Sequence, residues 1–302
     1  MERPFHTLDV FTDTAYAGNP LAVLPDGDGL TDAQMQQVAS EFNLSETTFV
    51  QAPGQGSDAV ARVRIFTPEV ELPFAGHPTV GTALLLCELG RVPAPASGDG
   101  ETTVVLAEGV GEVPVRVVFS DGRARYAELS VGPQEAGPTP PDVPTIAAVL
   151  SLAPEDVADG PWAPVARSCG VPFVLVSVRD IAALERIRLD TARWRAHLSG
   201  AWAEPLYVVA PSGGDETFRA RMFAPGTGVD EDPATGSAAS ALAGFLAESE
   251  PDGTATWTVR QGVEMGRPST LHLSADIRDG QVTRIRVGGS AVRVADGTIL
   301  VP

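Results

Sequence analysis

The sequence predicts an α/β (α+β) fold of two pseudo-symmetric halves, each a curved sheet or barrel around one central buried helix. Three observations predict it. The first is an internal repeat. Arg62-Val63-Arg64-Ile65-Phe66-Thr67-Pro68 matches Arg219-Ala220-Arg221-Met222-Phe223-Ala224-Pro225. At nearly the same separation, His77-Pro78-Thr79-Val80-Gly81-Thr82-Ala83 matches Asp232-Pro233-Ala234-Thr235-Gly236-Ser237-Ala238. Only two long copies exist, so the repeat is a duplication rather than a solenoid. The second is the character of the repeated helix. From Val80 to Leu89 it is apolar on nearly every face, the pattern of a helix buried on all sides. Such a helix cannot lie on the outside of a sheet, so the strands must wrap it. The third is length, since 302 residues suit two domains of about 150 each.

The elements follow in order. Leu8 to Thr12 and Leu21 to Leu24 read as strands around the turn Ala17-Gly18-Asn19-Pro20. Thr31 with Gln34 forms a capping box for a helix whose apolar face is Met35, Val38, Ala39 and Phe42. Asn43 to Val50 is a loop feeding a strand, and Arg62 to Phe66 alternates polar and apolar as a half-buried strand does. The buried helix follows, with Pro78 in its first turn, where a missing N–H costs nothing, and Gly90 at its end. Strands from Thr103 to Leu106, Val113 to Phe119 and Arg125 to Val131 close the first half. The second half opens with a helix around Ile146 to Leu152 and a strand from Phe173 to Val178. One helix from Ile181 to His197 and a strand from Leu206 to Ala210 precede the second repeat. Five strand signals end the chain: Thr256 to Val259, Thr270 to Ala275, Val282 to Val287, Ala291 to Val294 and Thr298 to Val301. The halves are residues 1–132 and 133–302, joined by a proline-rich linker over 132–144, with the last strands free to cross back to the N-terminal half.

Composition narrows the function classes. The formal net charge of −18 argues against nucleic acid or an anionic membrane as a partner. All 21 basic residues are arginine, so lysine-based Schiff-base chemistry, pyridoxal phosphate and a Walker-type phosphate loop are excluded. The two cysteines, Cys87 and Cys169, build neither a metal site nor a disulfide framework. No signal peptide and no membrane span are visible, which reads as a cytoplasmic protein.

Chemistry concentrates at the repeated strand-to-helix turns. Gly76 and Gly81 leave backbone amides bare at a helix N-terminus beside His77, a ready anion site next to an ionisable group. Asp232, before Pro233, has the form of a helix N-cap, yet its match with His77 suggests two unlike ionisable groups around an asymmetric ligand. The two residues are expected at the N-termini of two buried helices that converge on one cleft. Ser237, in the first turn after Gly236, can donate to a carboxylate. Glu46, between Leu44 and Phe49, is a carboxyl in apolar surroundings whose pKa would rise, allowing it to shuttle a proton near neutrality. His6, His197 and His272 stand in no motif.

Gly18-Asn19-Pro20, Asn43-Leu44-Ser45-Glu46-Thr47, Phe74-Ala75-Gly76-His77-Pro78-Thr79, Asp232 to Ala238, and Gln261-Gly262 with Gly266-Arg267-Pro268-Ser269 together resemble the PhzF-type phenazine-biosynthesis-like family, over nearly the whole chain. The resemblance implies a diaminopimelate epimerase-like fold. It implies Glu46 as the acid/base residue, with His77, Asp232 and Ser237 as catalytic partners. Gly76, Gly236 and Asn19 are the implied substrate-binding residues. It further implies isomerisation of trans-2,3-dihydro-3-hydroxyanthranilate or a similar small carboxylate without any cofactor or metal, by a homodimer. Epimerases and proline racemases of this fold carry paired thiols at the two helix N-termini; those positions here hold no cysteine. A cofactor-independent isomerase is therefore the leading expectation. A thiol-independent epimerase or racemase of a small acid and a non-catalytic small-acid binding protein are the alternatives.

Overall fold

The computed structural model describes residues 1–302, which divide into two compact units. Unit 1 comprises residues 1–130 and 288–302, and unit 2 comprises residues 131–287.

Unit 1 is built from β1 (Glu2–Val10), β2 (Asn19–Leu24), α1 (Asp32–Phe42), β3 (Glu46–Gln51), β4 (Ala61–Phe66), β5 (Glu71–Leu72), α2 (Gly76–Glu88), β6 (Gly100–Glu108), β7 (Gly111–Ser120) and β8 (Arg123–Val131), with β18 (Ala291–Leu300) returning from the chain's end. β1 lies between β18 and β2, antiparallel to both; β2 runs parallel to β3, and β4 parallel to β6. Strands β1, β2, β3, β6, β7 and β18 all pack on α2. Every residue of α2 from His77 to Cys87 is buried, as its lack of a polar face requires. Gly81 is needed there, because a Cβ would stand 2.7 Å from both Leu21 Cδ2 and Val10 Cγ2. α1 forms as read: the Thr31–Gln34 capping box is present, Asn43 closes the helix in the left-handed region, and Met35, Val38 and Ala39 bury against Leu24, Phe49 and Phe66.

Unit 2 holds β9 (Glu135–Ala136), α3 (Val143–Val149), β10 (Val165–Ser168), β11 (Pro172–Ser177), α4 (Ile181–Arg186), α5 (Thr191–His197), β12 (Leu206–Pro211), β13 (Phe218–Ala224), β14 (Val229–Asp232), α6 (Gly236–Ala247), β15 (Gly253–Gln261), β16 (Ser269–Arg278) and β17 (Gln281–Gly289). β11 runs parallel to β12 and β13 parallel to β15, the same scheme as in unit 1. Strands β10, β11, β15 and β16 pack on α6, which is alanine-rich and buried almost throughout.

Three elements differ from the sequence reading. The single helix expected over 181–197 is two. Asp180 caps α4 by accepting from Ala183 N, and Asp190 caps α5 by accepting from Arg193 N. Between them the backbone turns away to bond the end of α3, through Arg188 N to Leu150 O and Asp190 N to Val149 O. The last two strand signals form one strand, β18. Asp296-Gly297 looks like a turn, but Gly297 is there to admit Phe5, whose Cε1 would lie 2.9 Å from a Cβ. With β18 as a partner, β1 starts at Glu2 rather than Leu8.

The register of the repeat also shifts. In unit 1, β5 pairs Leu72 with Ile65 of β4; in unit 2, β14 pairs Asp232 with Met222 of β13. Ile65 and Met222 are matched positions of the repeat, so the structural counterpart of Asp232 is Leu72, not His77. The two helices then begin Gly76-His77 and Gly236-Ser237, each after a strand end, a proline and two more residues. His77 corresponds to Ser237. The sequence alignment slipped by five residues because Asp-Pro and His-Pro look alike and both precede a glycine and a small hydroxyl.

Candidate active site

Glu46 and His77 come together in unit 1. Glu46 is the first residue of β3, paired with Leu21 of β2. His77 is the second residue of α2. Their Oε2 and Nε2 atoms lie 3.5 Å apart, with only 6% of the His77 side chain and 17% of the Glu46 side chain exposed. The imidazole also bonds the backbone of Pro20. Nε2 has no hydrogen-bond partner, so the nitrogen bound to Pro20 is Nδ1, and a proline carbonyl can only accept. Nδ1 therefore carries the proton and Nε2 presents a lone pair toward Glu46. Burial pulls the His77 pKa down to about 3, with the Pro20 bond opposing it, so the ring is neutral near pH 7. The contact is a neutral imidazole facing a carboxyl group, not an ion pair.

The helix that carries His77 starts without a side-chain cap. Its N-cap is Ala75, and no side chain caps the amides of the first turn. Gly76 is half-buried at that opening. Asn19 is fully buried at the start of β2. Gly18 before it holds φ 66°, and a Cβ there would strike Val10 O. Behind the site, Thr48 and Thr82 hydroxyls meet at 3.1 Å.

In unit 2, Asp232 is not a helix cap. It ends β14, three residues before Thr235, the N-cap of α6, which makes no side-chain capping bond. Asp232 is buried, and its Oδ2 accepts from Thr235 Oγ1 at 2.5 Å. Gln261, at the end of β15, fixes this turn. Its Nε2 donates to Asp232 O at 2.8 Å and to Thr235 Oγ1 at 3.0 Å, while Thr235 N donates to its Oε1 at 3.2 Å. Tyr207 of β12 pairs with Met222, the residue opposite Asp232; its buried hydroxyl has no partner, and burial and the Asp232 charge push its pKa up. Gly236 is buried and Ser237 half-buried at the start of α6, which lacks a side-chain cap as α2 does.

The sequence reading missed Glu108, Thr79, Thr235, Tyr207 and the Pro20 carbonyl, and named Gln261 without a role. One signal was available: Glu108-Gly109 and Gln261-Gly262 both end a strand that follows the repeated helix. Cys87 and Cys169 are both buried, and burial raises their thiols to about 11 and about 12. Neither lies in the opening turn of α2 or α6, so no thiol pair stands where racemases of this fold place theirs.

A buried histidine held neutral against a carboxyl is an acid/base arrangement, and relatives of the chain are named isomerases, which makes it an enzyme of the isomerase class. Residues 8–297 match the family model described as phenazine biosynthesis-like protein, and the chain belongs to that family. Among its relatives, a Mesorhizobium japonicum protein named an uncharacterized isomerase is 41% identical, the match covering 99% of each chain. The trans-2,3-dihydro-3-hydroxyanthranilate isomerase of Pseudomonas fluorescens is 34% identical, covering 97% of this chain and 98% of that one. A crystal structure of a PhzF-family protein from Bacillus anthracis shares the fold, with a TM-score of 0.88 at 24% identity over 99% of each chain. No helix of the chain is long and apolar enough to cross a membrane.

Proposed function

We propose that this protein is a cofactor-independent isomerase that moves a proton within a small unsaturated or cyclic amino or carboxylic acid similar to trans-2,3-dihydro-3-hydroxyanthranilate. The observation that carries the proposal is the approach of Glu46 to a buried, neutral His77. Glu46 takes a proton from one carbon. The electron pair of that C–H bond becomes a new carbon–carbon double bond, and the pair of the old double bond takes a proton from Glu46 at the far carbon. No atom or electron is gained or lost overall. His77, with Nε2 as acceptor, holds the Glu46 carboxyl once it has taken the proton, or a polar group of the substrate. Uncapped helix amides suit the substrate carboxylate, and an anion at a helix N-terminus gains about 0.3 to 2 kcal/mol. That local attraction matters in a chain of net charge −18. The resemblance supports roles for Asp232, Ser237, Gly236, Gly76 and Asn19 in the same reaction, and a homodimer in the cytoplasm as its working form.

The test is to offer the purified protein trans-2,3-dihydro-3-hydroxyanthranilate in deuterium oxide. An isomerase changes the ultraviolet spectrum, because the double bond moves. An epimerase inverts a centre and incorporates deuterium without such a change. Binding without either outcome would refute catalysis on this substrate class.

A further inference from the structure

Glu108 is a buried carboxyl that the proposed reaction does not use. It ends β6, directly against the turn that leads into α2: a Cβ on Gly109 would lie 2.7 Å from Pro73 Cα and 2.9 Å from Pro73 O. The same contact recurs in unit 2, where a Cβ on Gly262 would lie 2.6 Å from Pro233 O and 3.0 Å from Pro233 Cα. Glu108 and Gln261 therefore occupy the same place in the two copies of the fold.

The hydrogen bonds around Glu108 bear on its protonation. Thr79 Oγ1 lies 2.7 Å from Ala75 O and 2.8 Å from Glu108 Oε1. A hydroxyl has one hydrogen, and a backbone carbonyl can only accept. The single Thr79 hydrogen can serve only one of the two, so both contacts are hydrogen bonds at once only when Glu108 supplies the second hydrogen. In unit 2 the threonine engaged is Thr235, the N-cap counterpart of Ala75, and there the direction of the bonds is unambiguous. The Gln261 amide donates to Thr235 Oγ1, and Thr235 donates onward to Asp232. A carboxylic acid in one copy stands where an amide stands in the other.

We propose that Glu108 is protonated in the folded protein and is a positioning residue for His77, its O–H clamping Thr79 to the N-cap carbonyl across the helical turn that carries the histidine. His77 lies between Ala75 and Thr79, so the clamp spans it. Burial supplies the physical cause: it pushes the Glu108 pKa up to about 7. The charged and titratable side chains on the elements packed around it are Arg62 and Arg64 of β4, Glu112 and Arg116 of β7, and His77, Cys87 and Glu88 of α2. None of these charges offsets the burial, which is the largest influence on this carboxyl. Above neutrality the proton leaves, Glu108 and Ala75 O compete for one Thr79 hydrogen, and the turn under His77 loosens. Glu108 then makes the site sensitive to alkali while His77 itself stays neutral.

The experiment needs no substrate, so it stands or falls apart from the proposed reaction. The ring signals of histidine in isotope-labelled protein are followed by NMR through neutral pH, with His77 assigned by its loss in His77→Gln. In the wild type the His77 signals should shift with a midpoint near neutrality. In Glu108→Gln, which keeps the shape and supplies a permanent donor, they should stay near the wild-type low-pH position and not titrate. Glu108→Leu should shift them at every pH. Infrared difference spectra of wild type minus Glu108→Gln at mildly acidic pH should show a carboxylic-acid carbonyl band. A flat wild-type His77 signal, a Glu108→Gln protein that titrates as the wild type does, or absence of the acid band would each overturn the proposal.

Discussion

Acid should destabilise this fold through His77, and the size of the effect follows from its burial. The folded imidazole resists protonation, with a pKa of about 3, whereas an unfolded histidine titrates near 6.5. Below about pH 6.5 the unfolded chain binds a proton that the native protein does not, so stability is fully present above that pH and falls as pH drops toward 3. Between about pH 7 and pH 5 the imbalance removes roughly 2 kcal/mol. Replacing His77 by Asn or Gln abolishes this proton uptake. The assay is urea unfolding of wild type and His77→Asn at both pH values, read as the change in stability with pH in each rather than as absolute stability. Other groups titrate as well; Glu108, raised on folding, works in the opposite sense, losing its stabilisation as pH climbs to about 7. These contributions are common to both proteins and cancel in the comparison. Wild type should lose roughly 2 kcal/mol more than the variant. An equal loss would mean that His77 is protonated in the folded state and forms an ion pair with Glu46. The assignment of His77 as a neutral acceptor would then fail.

Other expectations follow from the same geometry. Gly81→Val should lower the thermal midpoint through overpacking of about 1 to 3 kcal/mol against Leu21 and Val10, with calorimetry as the check. The double variant Cys87→Ala, Cys169→Ala should retain turnover, and the native thiols should react slowly with alkylating agents, because both are buried and their pKa values raised. Rapid alkylation with loss of activity would restore a thiol mechanism. Gln261→Leu should loosen the turn that carries Asp232 and lower turnover, while Gln261→Glu should recover part of it at acidic pH, where the acid can donate as Glu108 does.

Much of the fold was legible because duplication and burial leave direct marks. A helix with no polar face can only be a central one, and the Thr31–Gln34 box and the Val80 to Leu89 run each specify their element locally. The failures came where a residue serves a distant contact. Gly297 looks like a turn and makes room for Phe5. Asp190 restarts a helix whose predecessor ended because the chain bonds the end of α3. At the site, His77 and Glu46 were named, but the pairing of His77 with Asp232 rested on similar dipeptides, and only strand pairing shows that Leu72 holds the position of Asp232. Glu108 stayed hidden because one carboxyl at a strand end reads as solvated. Its meaning depends on Thr79 having a single hydrogen to give.

The central claim is that Glu46 carries the proton. Its most direct test is single-turnover deuterium transfer by wild type and Glu46→Gln with the same substrate and a non-reacting analogue. The account predicts a 10² to 10⁴-fold slower transfer in the variant, about 3 to 5 kcal/mol of transition-state stabilisation, with analogue affinity nearly unchanged. Transfer by Glu46→Gln at the wild-type rate would contradict it.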